Sequence, residues 1–398
     1  SDPCRMLHEV NGILYALIGD KFYEIDSNGA ATERGTIPTT VKPKADDNGS
    51  QIAIPIGDGY VYTIATNTVS SISDPDYNPS SSCAFIAQYL SFIEDGTGQF
   101  FLSDFADATD FDSLDFATGE SDPDINISNH QFQGNQWLFG TKTTEVWYFS
   151  GEAFPLNPYN NGKYNIGCGA RLSVASDEDY ICWITPNRRV YASTGGKPQA
   201  ISSPDIEYEL SKLSAVNDAE AFIYTEEGHT FYEVSFTTGN LTLVYDFLTG
   251  QWHQRRSGTD RHIASSYVYA YGKHLVGDYR NGKIYEMSLD FNDEVGNAVI
   301  REGILPPIYS TQKFSIDKFE LIAETGITPL NEPDAMIEVR WSEDGSTWSN
   351  WVQRTLGAEG KTLTRLEWSG LRSMKQVFIH WRTSVKAPFR LIRAEVNA

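Results

Sequence analysis

The feature that most constrains this chain is a repeated two-strand unit. ILYALIGDKFYEID, from Ile13 to Asp26, alternates apolar and polar residues, turns at Gly19-Asp20 and resumes with Phe22 and Tyr23. The same form returns in IAIPIGDGYVYTIA from Ile52, YLSFIEDGTGQFFLSD from Tyr89, QWLFGTKTTEVWYFSG from Gln136, YICWITPNRRVYAST from Tyr180, AFIYTEEGHTFYEVSF from Ala221 and HLVGDYRNGKIYEMSLD from His274. Alternation at period two marks strands, and Gly, Asp or Asn between them supplies the backbone angles of a tight hairpin. The seven starts are 39, 37, 47, 44, 41 and 53 residues apart. A period of roughly 40 to 45 residues is that of propeller blades, sheets that cannot bury their faces alone and must stack on one another. The repeat therefore predicts an all-β chain whose residues 1–305 form a seven-bladed β-propeller. Between hairpins, KPQAIS from Lys197 and LTLVYDFLTGQWHQ from Leu241 read as outer strands, with Tyr245, Phe247 and Trp252 packing between blades.

After Pro306-Pro307 the rhythm changes. KFSIDKFELIAETG, AMIEVRWSEDGSTWSNW, KTLTRLEWSGL and KQVFIHWRTSVKAPFRLIRAEV alternate strictly, as half-buried antiparallel strands do. Residues 306–398 are expected to form a separate β-sandwich or sheet domain, with ETGITPLNEPDA as its first turn. At 398 residues the chain exceeds what one hydrophobic core usually serves. Aromatics at 13%, 32 glycines and 4 methionines agree with short strands and tight turns.

Charge excludes one class of partner. The formal net charge is −22, yet residues 361–398 carry eight Lys or Arg against two acids, which leaves the rest at −28. Tight phosphate binding needs clustered cations, so the body is expected to let DNA pass nearby without holding it. Cys4, Cys83, Cys168 and Cys182 lack metal-knuckle spacing and read as free buried thiols. No apolar run reaches the roughly 18 residues of a membrane span, and SDPCRML is no secretory signal. Because the first residue is not Met, the chain is expected to be a fragment or a processed product.

Catalytic motifs are weak. WSEDGSTWSNW, from Trp341 to Trp351, approaches the Asp box of sialidases but is one residue short and does not recur in the blades. Asp344 and Gly345 read instead as a structural hairpin turn, with Trp341, Trp348 and Trp351 packing the sheet. Arg171, Arg188, Arg255, Arg261 and Arg280 are available to a sugar carboxylate, but nothing in the sequence gathers them. The seven histidines show no metal-ligand spacing, and GTGQ, STGGKP and GDGY lack the phosphate-loop pattern. No catalytic residue, cofactor or metal is expected.

Two charged segments are candidate contact sites. The acidic stretch 103–124 places Asp104, Asp107, Asp110, Asp112 and Asp115 together without a basic residue. It lacks the order of a calcium loop and reads as a solvated acidic loop facing a partner or channel, anchored by Phe105, Phe111, Leu114 and Phe116. Arg255, Arg256 and Arg261, beside His262, form a compact basic cluster that could meet an acidic neighbouring subunit.

Three longer runs carry a family likeness. DFADATDFDSLDFATGESDPDINISNHQFQGNQWLFGTKTTEVWYFSG resembles a blade of the tail-hub proteins of short-tailed phages, the packaged-DNA stabilisation or tail accessory family. PCRMLHEVNGILYALIGDKFYEID resembles an early blade of that family. RWSEDGSTWSNWVQRTLG followed by LRSMKQVFIHWRTSVKAPFRLIRAEV is similar to its closing segment. The resemblance implies a non-enzymatic virion protein of the phage tail, assembled in the host cytoplasm. It further implies a hub or nozzle in a homo-hexameric ring that joins the portal-adaptor protein to tail spike and tail needle proteins and helps retain packaged DNA. The alternative is a carbohydrate-active propeller, either a sialidase-like hydrolase or a glycan-binding receptor protein.

Overall fold

The computed structural model describes residues 2–119, 124–326 and 335–397. The chain divides into two compact units, residues 1–287 and 288–398. The first unit contains seven antiparallel sheets, formed in turn by residues 4–36, 46–71, 83–118, 126–164, 175–200, 219–261 and 264–287. Each is a meander of sequential neighbours, which is the blade of a propeller. Blades one to five have four strands, blade six has five and blade seven has three.

Counted from the first strand of each blade, at Cys4, Asp46, Cys83, Asn126, Ala175, Ala219 and Ala264, the intervals are 42, 37, 43, 49, 44 and 45 residues. This is a tighter period than the hairpins showed. In blade six the hairpin at Ala221 belongs to strands one and two, Ala219–Glu226 and His229–Phe236, whereas elsewhere the recurring hairpin is strands two and three. The two-residue turn at Glu227-Gly228 corresponds to the first hairpin of blades one, four and seven, at Asn11-Gly12, Gln133-Gly134 and Tyr271-Gly272, where both residues likewise have positive φ.

Hydrophobic burial is concentrated at the seams between blades. One cluster joins Tyr15, Leu17 and Phe22 of blade one to Ile52, Ile54 and Tyr62 of blade two. Others join blades two and three around Phe92 and Phe101, three and four around Phe100 and Trp147, four and five around Trp137 and Trp183, and five and six around Tyr232 and Phe236. A fully buried aromatic removes about 150–250 Å² from water, roughly 4 to 6 kcal/mol of gross stabilisation before entropy is counted. Tyr245, Phe247 and Trp252 do pack between blades five and six, where Phe247 stacks on Tyr180 with centroids 3.8 Å apart and Trp252 Nε1 donates to the Ile201 carbonyl at 2.9 Å.

The ring closes through side chains, because every sheet is built from one continuous stretch of chain. Cys4, Leu14 and Ile25 of blade one pack with Ala270 of blade seven. Tyr271 Oη donates to the Ile25 carbonyl at 2.6 Å and accepts from the Leu14 amide at 3.0 Å, and Ser265 Oγ donates to the Cys4 carbonyl at 2.9 Å. Gly277 is required here, since a Cβ would overlap Cys4 Sγ. All four cysteines are free and buried, as their spacing suggests; burial raises the thiol pKa values, that of Cys168 to about 11. The first strands and the loops before them converge on an axial cavity of about 790 Å³, lined from every blade.

The second unit is a β-sandwich built on one 18-residue strand, Leu366–Thr383. Its first part pairs with Ile308–Ala323, and its second part lies between Met336–Ser342 and Arg301–Ile304. KTLTRLEWSGL and KQVFIHWRT, which read as two strands, are thus one. The core holds Phe319, Val339, Trp368, Leu371 and Ile379. Strand Arg301–Ile304 belongs to this sheet, so the unit starts before the proline pair. The expected first turn lies largely in 327–334, outside the described residues.

Candidate functional site

The acidic stretch is for the most part a strand. Asp107–Thr118 forms the outer edge of blade three, and Asp104 ends the neighbouring strand Gln99–Asp104; residues 120–123 lie outside the described residues. The expectation of a solvated loop is corrected to this extent. The ladder jumps from Phe101↔Phe116 to Ser103↔Phe111, so residues 112–115 bulge out of register. The anchoring differs too. Phe111 is buried against Tyr77, Phe92 and Phe101, but Phe105, Leu114 and Phe116 are 60%, 78% and 46% exposed. Tyr148, Phe149 and Tyr159 of blade four are exposed as well. Two shifts in the ladder explain the outcome: between Ser103↔Phe111 and Asp104↔Asp107 the register slips, so that Ala108 and Phe111, three residues apart, are both buried in the seam, and the second bulge leaves Leu114 exposed.

The five aspartates behave differently from one another. Asp107 is partly desolvated, yet bonds from Thr109 Oγ1 at 2.7 Å, the Thr109 amide at 2.9 Å and Gln51 Nε2 at 3.1 Å hold its carboxyl below the ordinary value. Asp110 and Asp115 are raised, by desolvation and then by neighbouring carboxylates, Asp74 and Asp104 for the first and Asp112 and Asp104 for the second. Asp104 and Asp112 accept local amides, from Phe105 and Leu114. The five do not gather around one point. Among the described residues, the group within metal-ligating reach is His8, Asp46 and Asp47, where the blade-one and blade-two first strands meet. Those atoms already have partners: His8 Nε2 lies 2.8 Å from Asp47 Oδ2, and Asp46 Oδ2 accepts the Phe85 amide at 2.7 Å.

The structure separates the three arginines. Arg255 is bound within blade six, with Nη1 2.8 Å from Glu233 Oε2 and Nη2 2.9 Å from Tyr224 Oη. Arg261 is 3% exposed and lies on the axial cavity, its guanidinium carbon 3.8 Å from the centre of the Tyr279 ring. Arg256 is the one of the three on open surface. Sequence proximity had put them together; the strand geometry sends them to a seam, an axis and solvent.

Asp344 and Gly345 form the turn that the sequence suggests. Asp344 Oδ1 accepts the amides of Thr347 at 2.7 Å and Ser346 at 2.8 Å, and Oδ2 accepts Thr347 Oγ1 at 3.0 Å. These bonds hold the Asp344 carboxyl well below the usual range. Gly345 takes φ 72°. The arc is longer than a two-residue turn, running from Ser342, which bridges Trp348, to the next strand at Val352. Trp341 packs on the sandwich core, while Trp348 and Trp351 sandwich Arg340 at 4.8 and 4.4 Å; Arg382 covers Trp351 at 4.1 Å.

Two buried groups were not singled out from the sequence. Glu233 is 0% exposed between His262 and Arg255. Its signal was a charge in FYEVSF, a strand whose neighbours Tyr232 and Val234 are both buried. The second is Lys44, whose ammonium donates to Ser128 Oγ at 2.7 Å and is pushed down to about 7, first by desolvation. Its folded pKa lies below the unfolded value, so the unfolded chain holds more protons between about pH 7 and 10, and stability rises with pH over that window. The expected slope from this one proton is at most about 1.4 kcal/mol per pH unit. Urea unfolding of Lys44→Met at several pH values should show that component gone.

Among the described residues no helix is long and apolar enough to cross a membrane. Propeller and sandwich define an all-β protein whose candidate residues serve turns, seams and exposed strands. The chain belongs to the bacteriophage P22 Gp10 family: the family's β-propeller model matches residues 5–292 and its β-sandwich model residues 306–398. This is the tail hub, or nozzle, family of short-tailed phages, and the protein is a structural component of the phage tail and hence of the virion. A search of curated protein sequences gave no match. Similar solved structures include the computationally designed Ika8 protein, at 11% identity and TM-score 0.45, covering 72% of this chain and 96% of that one. The Pan2 WD40 domain of Neurospora crassa gives 11% and 0.45 over 72% and 89%, and BamB of Moraxella catarrhalis 9% and 0.42 over 69% and 82%.

Proposed function

We propose that this protein is a non-enzymatic hub subunit that assembles with copies of itself into a ring, meets the portal-adaptor on one side and carries spike and needle proteins. The observation that carries this reading is the outer strand of blade three, where exposed Leu114 and Phe116 stand among aspartates, with exposed Phe105 in the turn that precedes the strand. A row of large apolar side chains on an unpaired sheet edge is what an assembly partner covers, and the acids keep that edge from pairing indiscriminately. Charge complementarity favours a basic partner surface. The sandwich supplies one in exposed Lys361, Arg365, Lys375, Arg390 and Arg393, so a neighbouring copy is the occupant we assign. Such a heterologous contact, repeated, closes a ring, which we take to hold six subunits.

Any DNA path lies between copies. The axial cavity, about 790 Å³, is smaller than one base-pair slice of duplex, on the order of 1,000 Å³ given the helical rise. The formal net charge of −22 disfavours tight phosphate binding, which suits a path along which DNA slides.

Native mass spectrometry and negative-stain microscopy of the chain with its portal-adaptor test the proposal. Wild type should give closed rings, and Leu114→Lys combined with Phe116→Lys should weaken ring formation at least tenfold, about 1.4 kcal/mol, without lowering Tm. Rings that survive the double substitution would remove this strand from the interface. A chain that stays monomeric with every tail component would remove the hub reading, and specific glycan binding or cleavage would favour the carbohydrate-active alternative.

A further inference from the structure

The seams of the propeller are not alike. Six of the seven carry a cluster of buried hydrophobic side chains, and four of these clusters contain one native cysteine each: Cys4 between blades seven and one, Cys83 between two and three, Cys168 between four and five, Cys182 between five and six. Among the described residues no such cluster joins blade six to blade seven. The strand register shows why. Cross-strand partners share a face, so Phe222↔Glu233↔Val244 and Glu220↔Ser235↔Thr242↔Arg255 are rows on one side of blade six. That side meets blade seven: Phe222 stacks on Tyr267 with centroids 5.0 Å apart, and Arg255 Nη1 donates to Met287 Sδ at 3.4 Å. The other side, with Tyr232, Val234 and Leu243, packs on blade five.

The interior of this seam is polar. Glu233 is buried with Arg255 and His262 as partners, and the hydroxyls of Ser235 and Thr242, both buried, lie 2.7 Å apart. Toward the axis, Lys42 Nζ stands 2.8 Å from Glu220 Oε2 and also donates to the Ser265 carbonyl of blade seven. Opening a hydrophobic seam exposes apolar surface and returns nothing. Opening this one gives water back to buried charges and hydroxyls, whose desolvation largely offsets their mutual attraction in the closed state. Blade seven, in contrast, is held to blade one both by a hydrophobic cluster and by the hydrogen bonds of Tyr271 and Ser265. We propose that the seam between blades six and seven is a built-in hinge, the place where the propeller opens locally, with blade seven staying on blade one. A ring closed only through side chains thereby gains one seam that parts before the others.

Thiol labelling of the full chain without denaturant tests this, because the four native cysteines already report on four hydrophobic seams. Val244→Cys and Val276→Cys, at buried positions on the two sides of the polar seam, each add a fifth thiol there. Each rate is taken by mass spectrometry relative to the same thiol in the urea-unfolded chain. The introduced thiol should react about tenfold faster, or more, than every native thiol in the same molecule. The native four serve as the internal control, since a propeller loosened by the substitution exposes all five together. Combining Glu233→Leu, Arg255→Met and His262→Leu with Val244→Cys should bring the ratio of introduced to native rates down at least about fivefold, because the seam is then apolar. A ratio near one in either cysteine variant overturns the proposal, whether the rates are slow or fast. So does a high ratio that the apolar triple substitution leaves unchanged.

Discussion

Glu233→Ala is expected to destabilise the propeller by about 3–5 kcal/mol, because it removes one partner from a buried charge network. Glu233 Oε1 lies 2.6 Å from His262 Nδ1, and Oε2 lies 2.8 Å from Arg255 Nη1. Burial raises the Glu233 carboxyl, but His262 and Arg255 outweigh burial and leave it below the ordinary value. Arg255 in turn bonds Tyr224, whose ring adjoins Tyr267 of blade seven, so the network sits at the seam between blades six and seven. Glu233→Gln should cost less than Glu233→Ala, because the amide oxygen still accepts from Arg255 while the charge that pairs with the guanidinium is gone. The pH dependence has a definite sign. With the folded pKa depressed, the stabilisation is fully present above the unfolded pKa, about 4.3, and is lost as pH falls from there through the folded pKa. Denaturant titrations at pH 7 and at about pH 3 should show the gap between wild type and Glu233→Ala narrowing at the lower pH.

Trp183→Ala is the second large effect, about 3–5 kcal/mol. Trp183 is 0% exposed in the second strand of blade five, with Phe139 of blade four at 5.1 Å and Trp137 at 6.3 Å. Truncation opens a cavity in the seam and leaves the Gly167 carbonyl, which accepts Nε1 at 3.2 Å, without that donor. Neighbouring backbone cannot fall into the gap, since Gly167 already lies so close to Thr141 that even a Cβ would overlap its carbonyl. Tryptophan fluorescence during urea unfolding should report the loss. Both substitutions act at seams. A blade buries its faces only against its neighbours, so in a ring closed without a shared strand the seams hold the structure together.

The repeat was legible because strand alternation and turn chemistry are local. Gly19 and Gly345 both take positive φ whatever surrounds them; Gly19-Asp20 is a two-residue turn as the sequence indicates, whereas Asp344-Gly345 lies in a longer arc. The helix Pro204–Ser211 between blades five and six carries a local signal too: Ser203 caps it and Pro204 opens it. Leu366–Thr383 alternates as two runs in sequence but is a single strand, because pairing with Ile308–Ala323 carries it through Gly370 and the residues that follow.

The amino-acid sequence by itself determined the class of fold, the number of blades, the burial of the cysteines and the family, since these follow from period, composition and the order of motifs along the chain. The tertiary structure alone decided what each charge does. Arg255, Arg256 and Arg261 are neighbours in sequence, yet one completes a buried ion pair, one meets solvent and one faces the axis. Phe111 and Leu114 look alike in sequence, yet one anchors blade three and the other stands 78% exposed. The physical reason is that desolvation and pairing depend on residues a blade or more away, and their positions are set only when the ring has closed.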